Sequence, residues 1–595
     1  MKFCPVCGNR VKQPLRRKDG EPKFCERCGA GLRADSLRAS EIGRKTGLAG
    51  CFPYDSMRPY QNEVLEQCEA ALSASKKFII LEAPVGFGKS AVAAALCGYL
   101  GSGYLVTSTK QLQDQYSADF GFSTVMGKSN FTCLIPASTG KHLPCNKGRC
   151  EVDWTLSECP HYLTFEEYDV HRRGLCTRNS KCEKLTNGKL CAYYEQKWDA
   201  FRAQTTIANY SFFLSELRFT KEVKHRRLLV CDEAHDLEKQ LVSAASFSLK
   251  RSTLQNFQVE PGSSSVIPNK GVDDAAAWRE PLRNYKDTLE QFVDAYISSP
   301  TMQDRVASCN AILDSLEGFI EDLDADPTNW VVSGIRVAPT VDGRGDSVEE
   351  VVFQPLSVAA YASLLFETAD TILLMSATVF SKEAFCRMLG IPEESAAFIR
   401  IKQSSFPVEN RRIRALNTAH LSWATRDSSQ ESIARAVDEI MNQHADERGV
   451  IHTTSYQQVS DIMGHVSQPN RARLSTTEGV LSRSDLLRSH GSTGKSVLIS
   501  PSLYQGVDLK DDLSRFQVIV KVPYPDLSDR RTAIKMKRDQ GWYEWQTALR
   551  LVQTYGRSVR SEKDHAVTYV LDSNFTRFVE VHRDLFPEYF LEAIA

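Results

Sequence analysis

With 595 residues the chain is too long for one domain; at about 100–200 residues per domain, three or four units are expected. Its 42% hydrophobic and 25% charged residues are those of an ordinary soluble globular chain and exclude a low-complexity one. The basic N-terminus has no apolar core segment, and the longest uncharged run, Ala91 to Thr109, is broken by glycines and serines. Neither a signal peptide nor a membrane span is expected, so the protein should be cytoplasmic with no membrane partner. The formal net charge of -1 hides an asymmetry. Residues 1–50 hold 12 Lys and Arg against 5 Asp and Glu, a balance of +7 that favours a polyanion there.

Seventeen cysteines without a secretion signal point to metal ligation more than to disulfides. Cys4-Pro-Val-Cys7 and Cys25-Glu-Arg-Cys28 are two CxxC knuckles separated by seventeen residues, each followed by glycine. Four thiolates at this spacing suit tetrahedral zinc in a ribbon over residues 1–35. Arg16, Arg17 and Lys18 lie between the knuckles, where they suit nucleic acid, although zinc ribbons also dock proteins or stabilise a terminus. A polar linker follows over residues 31–50. Arg58-Pro-Tyr-Gln61 then opens an amphipathic helix reaching about Ala74, with an aromatic and Gln61 suited to stacking on and bonding adenine.

Ala83-Pro84-Val85-Gly86-Phe87-Gly88-Lys89-Ser90 follows the apolar run Phe78 to Leu81 and precedes an Ala-rich segment. Strand, loop and helix in that register make a phosphate-binding loop. Gly86 and Gly88 let successive N–H groups point at phosphate oxygens, Lys89 charges the outer phosphates, and the Ser90 hydroxyl suits Mg2+. Tyr104 to Thr107 reads as a second strand with hydroxyls and amides at its end, suited to a sugar-phosphate backbone. Between Gly127 and Tyr194 lie Cys133, Cys145, Cys150, Cys159, Cys176, Cys182 and Cys191, a density that argues for a metal-held insertion. Thiols alone do not choose between zinc and an iron–sulfur cluster.

Arg226 to Asp232 is an apolar strand ending in Asp232-Glu233-Ala234-His235. Asp232 would hold Mg2+ through water, Glu233 would orient and deprotonate an attacking water, and His235 would link this motif to a neighbour. Residues 250–350 carry no chemical motif; Leu289 to Leu323 has helical periodicity and an acidic face. Ile372 to Thr378 is another buried strand ending in hydroxyls, a coupling motif between ATP and a second ligand. From Phe406-Pro-Val-Glu-Asn410 a second α/β unit is expected, with a strand over Gly449 to Tyr456 that ends in polar groups, further strands at 497–500 and 516–522, and the motif Gln505-Gly506-Val507-Asp508. Gln553-Thr-Tyr-Gly556-Arg557-Ser-Val-Arg560 reads as a helix start, with Arg557 and Arg560 on one face as arginine fingers.

In this order the motifs resemble those of the DinG/XPD-like branch of superfamily-two helicases over roughly residues 51–580. The cysteine group between the phosphate loop and DEAH, Gly127-Lys-Ser-Asn-Phe-Thr-Cys133, and Cys191-Ala-Tyr-Tyr leading to Asn209-Tyr210 are specific to that branch. The resemblance implies an α/β fold of two RecA-like P-loop domains, with a cysteine-rich insertion and a helical, arch-like insertion in the first. The implied boundaries are a zinc ribbon (1–35), the first RecA-like domain in three parts (51–130, 196–248, 351–403), a cysteine-rich insertion (131–195), an arch (249–350) and the second RecA-like domain (404–595). The implied catalytic set is Lys89, Asp232, Glu233, His235, Gln553, Arg557 and Arg560. The nucleotide would also meet Gln61, Gly86, Phe87, Gly88, Ser90 and Asp508. Implied cofactors are ATP, Mg2+, an iron–sulfur (4Fe-4S) cluster and, at the ribbon, Zn2+. The activity would be ATP-driven 5′ to 3′ translocation on single-stranded and forked DNA. The alternative is a translocase acting on RNA–DNA hybrids or remodelling protein–nucleic acid complexes; the ribbon is a candidate protein-docking site.

Four cluster ligands are implied where seven cysteines stand. Cys133 and Cys191 match the ends by context, and Cys176 and Cys182 have the spacing of the middle pair. Cys145, Cys150 and Cys159 are the alternatives or a second site. The chain departs from the family at Ser90 (usually Thr), at Gln505 (usually Glu), at Ala192 (usually Pro), and in carrying the ribbon.

Overall fold

The structure, a computed structural model, describes residues 47–595 except 137–139, 152–155, 178–179, 184, 186–188, 221, 258–272, 300, 340–345, 405, 422–424, 477–482, 504–508, 510 and 560–562. Cys4, Cys7, Cys25, Cys28, Gln505, Asp508 and Arg560 lie outside the described residues. In chain order the strands are β1 (Phe78–Glu82), β2 (Gly103–Thr107), β3 (Ser123–Thr124), β4 (Thr205–Asn209), β5 (Arg226–Asp232), β6 (Phe247–Lys250), β7 (Trp330–Pro339) and β8 (Asp346–Pro355). There follow β9 (Ala369–Ser376), β10 (Ala396–Arg400), β11 (Ile413–Ala419), β12 (Gly449–His452), β13 (Leu474–Thr476), β14 (Val497–Ser500), β15 (Phe516–Ile519) and β16 (Val567–Asp572).

Unbroken apolar runs such as Phe78-Ile79-Ile80-Leu81 and Val497-Leu498-Ile499 cannot leave one face in water. They are therefore central strands of parallel sheets covered on both sides, and β1, β12, β14 and β15 are buried throughout. A parallel sheet of order β10-β1-β9-β5-β2-β4-β3 makes the front lobe, and one of order β11-β16-β15-β12-β14-β13 the rear lobe. In such sheets ligands gather at the carboxyl ends of the strands, where the phosphate loop follows β1 and DEAH follows β5.

Two insertions interrupt the front lobe. Between β3 and β4, short turns and the helices Phe165–Arg172 and Ala192–Arg202 pack Cys145, Cys159 and Cys182 with Tyr168, Tyr193 and Trp198. Between β5 and β9, the expected run of helix is divided into Arg279–Tyr296 and Gln303–Ala325. These helices lie on a three-stranded antiparallel sheet, β6-β8-β7, so the insertion is not wholly helical. The insertions touch: Asn310 Nδ2 donates to Glu151 O at 3.3 Å. Among the described residues no helix is long and apolar enough to cross a membrane.

Helix Gln540–Tyr555 of the rear lobe forms the seam. Its Trp545 Nε1 donates to Val379 O at 2.7 Å and its Gln553 Nε2 to Thr378 Oγ1 at 3.4 Å, both just beyond β9. Trp545, Leu549 and Val552 share one apolar cluster with Phe78, Leu374 and Phe385 of the front lobe.

Candidate functional site

A cleft of about 330 Å³ lies along the seam. Gly86, Lys89, Ser90, Asp232, Glu233 and His235 line it from the front lobe, and Gln553 and Arg557 from the rear. The loop's geometry is dictated by its glycines: Gly86 and Gly88 have φ of 83° and 89°, a region side chains avoid. Helix Lys89–Leu100 then points its N-terminus into the cleft. Lys89 Nζ donates to Ala83 O at 2.9 Å and Pro84 O at 3.4 Å.

Asp232 is buried, and Tyr116 Oη donates to its Oδ2 at 2.9 Å. Burial, then the neighbouring Glu233 charge, push its carboxyl up to about 7, against the pull of Tyr116 and Lys89. A cation beside it would return it to the ionised form. Glu233 takes a left-handed backbone, φ 51°, and backbone strain at a non-glycine residue clusters at functional sites. That turn leaves its carboxylate partly exposed, 3.3 Å from His235 Nδ1. His235 Nδ1 also lies 2.9 Å from Ser376 Oγ, so DEAH and the end of β9 are joined directly.

Several expectations change. Gln61 does not line the cleft. It is buried, its Oε1 accepts from Arg58 N at 2.7 Å, and its Nε2 donates to Phe87 O at 2.8 Å and Gly88 O at 3.4 Å. The amide nitrogen is held by the phosphate loop and the amide oxygen by Arg58 N, so Gln61 braces the loop from behind rather than facing the cleft. Phe87 is buried in the core behind the loop rather than facing the cleft. The helix bearing Gln553 ends at Tyr555, so Arg557 lies past its C-terminus rather than on the expected helical face. Gly556 caps the turn that carries Arg557 to the cleft. Arg58 of the cleft and Tyr116 behind Asp232 carry no distinct sequence signal. Tyr116 looks like any core aromatic, and Arg58, which donates to Gly86 O, is marked only by standing three before Gln61.

The cysteines sort differently from their spacing. Cys133 and Cys191 line one apolar cavity with Cys145, Cys150 and Cys159, walled by Ile135, Leu156, Tyr193 and Tyr194. Cys176 and Cys182 do not line it, so they are not the middle pair beside Cys133 and Cys191. They are joined in a disulfide, with His171 Nδ1 3.6 Å from Cys176 Sγ. Short turns at 145–147, 149–151 and 156–158 fold the three intervening cysteines inward, which spacing alone does not reveal. Cys191 caps helix Ala192–Arg202. The Cys145 thiol, against the effect of burial and helped by the N–H groups of Tyr194 and Tyr193, lowers it to about 6.

A second opening, a groove of about 660 Å³ in the rear lobe, is lined by Thr454, Ser455, Gln458, Lys521, Tyr524 and Tyr543 among others. Tyr524 and Tyr543 stack, ring centroids 5.9 Å apart and planes within 13°. Hydroxyls, a lysine and aromatic faces are the means by which proteins hold single strands without reading base edges.

The helicase C-terminal domain family matches residues 438–591, and the DEAD_2 family matches residues 110–254. Together these matches support a DinG/XPD-like, ATP-dependent helicase of superfamily two. Among the relatives of this XPD-like helicase is a probable ATP-dependent helicase of Methanocaldococcus jannaschii, 19% identical over 89% of this chain and 93% of the relative. The fold is similar to that of a solved XPD helicase (TM-score 0.59, 17% identity, 89% of this chain and 99% of that one). It is also similar to that of Xpd4 of S. tokodaii (TM-score 0.55, 14% identity, 89% and 99%).

Proposed function

We propose that the cleft hydrolyses Mg-ATP and that this drives 5′ to 3′ movement along single-stranded DNA, parting duplex ahead. The observation that carries the reading is that Lys89, Asp232 and Glu233 of one sheet share a cavity with Gln553 and Arg557 of the other. Neither lobe alone holds the set, so loss of the γ-phosphate would remove a bridge between them and let the lobes move. Lys89 and the loop N–H groups would hold the β- and γ-phosphates. Ser90 and Asp232 would hold Mg2+, which neutralises charge on the phosphoryl oxygens. Glu233 would take the proton of the attacking water, with His235 reporting to Ser376. Arg557, and Arg560 beside it in the sequence, would stabilise the transferring phosphoryl group. Asp508 would meet the nucleotide, and the Thr454, Ser455, Tyr524 and Tyr543 groove would serve the strand in step with the cleft.

Four thiolates from Cys133, Cys145, Cys150, Cys159 and Cys191 would hold an iron–sulfur cluster, whose contribution is to pin a segment with little regular structure. Their soft donors and an apolar wall suit that group. Cys4, Cys7, Cys25 and Cys28 would hold zinc.

The test is ATP hydrolysis with and without single-stranded DNA, Lys89→Ala as control, and unwinding of duplexes bearing a 5′ or a 3′ tail. Stimulation by DNA and unwinding from the 5′ tail support the reading. Stronger unwinding of RNA–DNA hybrids or RNA would move the substrate; hydrolysis unchanged in Lys89→Ala would overturn the site.

A further inference from the structure

Between the cleft and the groove lies a third opening of about 280 Å³. Its walls include His235 and Gln553, which also line the cleft, and Pro525, which also lines the groove. Glu238 stands in it, three residues past His235 on helix Leu237–Ala245, with 5% of its surface exposed. A buried carboxylate is costly unless its oxygens are filled. Here every partner among the described residues comes from the rear lobe. Arg531 Nη2 donates to Glu238 Oε1 at 2.7 Å, Lys535 Nζ donates to the same oxygen, and Trp542 Nε1 donates to Oε2 at 3.2 Å. Arg531 reaches further, with Nε donating to Pro355 O at 2.6 Å and Nη2 to Leu356 O at 3.3 Å, at the end of β8. One carboxylate thus ties the DEAH helix, the base of the second insertion and two rear-lobe helices. Burial lowers the Lys535 ammonium and opposes the Glu238 charge, but the paired cations hold Glu238 ionised.

A seam meant only to hold would be served as well by apolar side chains, since a buried ion cluster rarely adds net stability. An ion cluster has another property: it is either fully made or costly, and so has two states rather than a continuum. We infer that Glu238 is a positioning residue that transmits the state of the ATP cleft to the strand-binding groove, by closing on Arg531, Lys535 and Trp542 in one lobe arrangement and releasing them in another. This rests on the proposed reading of cleft and groove. It adds a residue that touches neither nucleotide nor strand.

The test uses the full chain carrying Glu238→Gln, with hydrolysis measured with and without a single-stranded oligonucleotide. Coupling energies of this kind correspond to roughly 5–150-fold effects. The expected result is basal hydrolysis and oligonucleotide affinity within about twofold of the parent, with stimulation reduced about tenfold or more. The double variant Glu238→Gln/Lys535→Met removes a cation left without its partner, so it should regain melting temperature but not stimulation. Stimulation that survives in Glu238→Gln, or returns in the double variant, overturns the inference. So does a uniform loss of basal and stimulated activity that follows melting temperature, which marks a purely structural seam. An unmodified chain that the oligonucleotide does not stimulate overturns the parent reading instead.

Discussion

Replacing Gly88 by alanine should weaken nucleotide binding about a hundredfold while leaving the fold intact. At φ 89° an L side chain is strained, which costs about 1–2 kcal/mol. The new Cβ would stand 2.6 Å from Gln61 Nε2, so the amide must swing away. It then loses its 2.8 Å bond to Phe87 O, and a buried polar group left unmatched costs about 1–3 kcal/mol. The free loop relaxes out of this strain, and phosphate binding must restore the cradle. If about 3 kcal/mol is reimposed on binding, affinity falls roughly a hundredfold, at about 1.4 kcal/mol per factor of ten. Titration with a fluorescent ADP measures the loss, and thermal melting reports the fold. Adding Gln61→Ala removes the obstructing amide, so the double variant should bind better than Gly88→Ala alone. An affinity for Gly88→Ala within threefold of the parent, or strictly additive losses, would refute the steric account.

Arg557→Ala should lower kcat for ATP hydrolysis by about a thousandfold with little change in nucleotide affinity, because its charge is needed most in the transition state; steady-state hydrolysis and ADP titration separate the two. Single serine replacements of Cys133, Cys145, Cys150, Cys159 and Cys191 should lower iron content in four cases and spare it in one. Cys176→Ser/Cys182→Ser should leave iron unchanged, as metal analysis of anaerobically purified protein will report. Burial, then the Arg557 charge, push the His452 imidazole down to about 3 from an ordinary 6.5. The unfolded chain therefore takes up a proton that the fold refuses. Stability present above the ordinary value is lost as pH falls toward the lowered one, by up to about 1.4 kcal/mol per pH unit. His452→Asn should flatten the acid side of the melting-temperature profile; an unchanged slope would exclude this histidine as the cause.

The sheet strands were legible because parallel strands covered on both faces leave long apolar runs, and the phosphate loop and DEAH were legible because each ends such a run. What the chain hid is where side chains settle after distant segments meet. Gln61 reads equally well as a base contact or as a loop brace until Phe87 and Gly88 are beside it. Arg557 and Arg560 have helical spacing, yet Gly556 follows the end of the helix. Cysteine spacing favoured Cys176 and Cys182, whereas tight turns around Cys145 and Cys150 depend on packing against Tyr193 and Tyr194. Glu238 gave no signal, since its partners lie about three hundred residues along the chain.

The order of strands in the front sheet also fixes a timetable for synthesis. Phe78 of β1 pairs with Ile372 of β9 on one side and Ala396 of β10 on the other and, among the described residues, with no earlier strand. On the ribosome, β2, β4 and β5 emerge and can pair while β1 waits with both edges bare. At about 5–20 residues per second that interval is roughly 15–60 s. The nascent chain therefore builds the β5-β2-β4-β3 side of the sheet first and the β10-β1-β9 side last. The phosphate loop gains its frame only once about two thirds of the polypeptide has been made, and until then an open apolar strand must be kept from pairing with a neighbour.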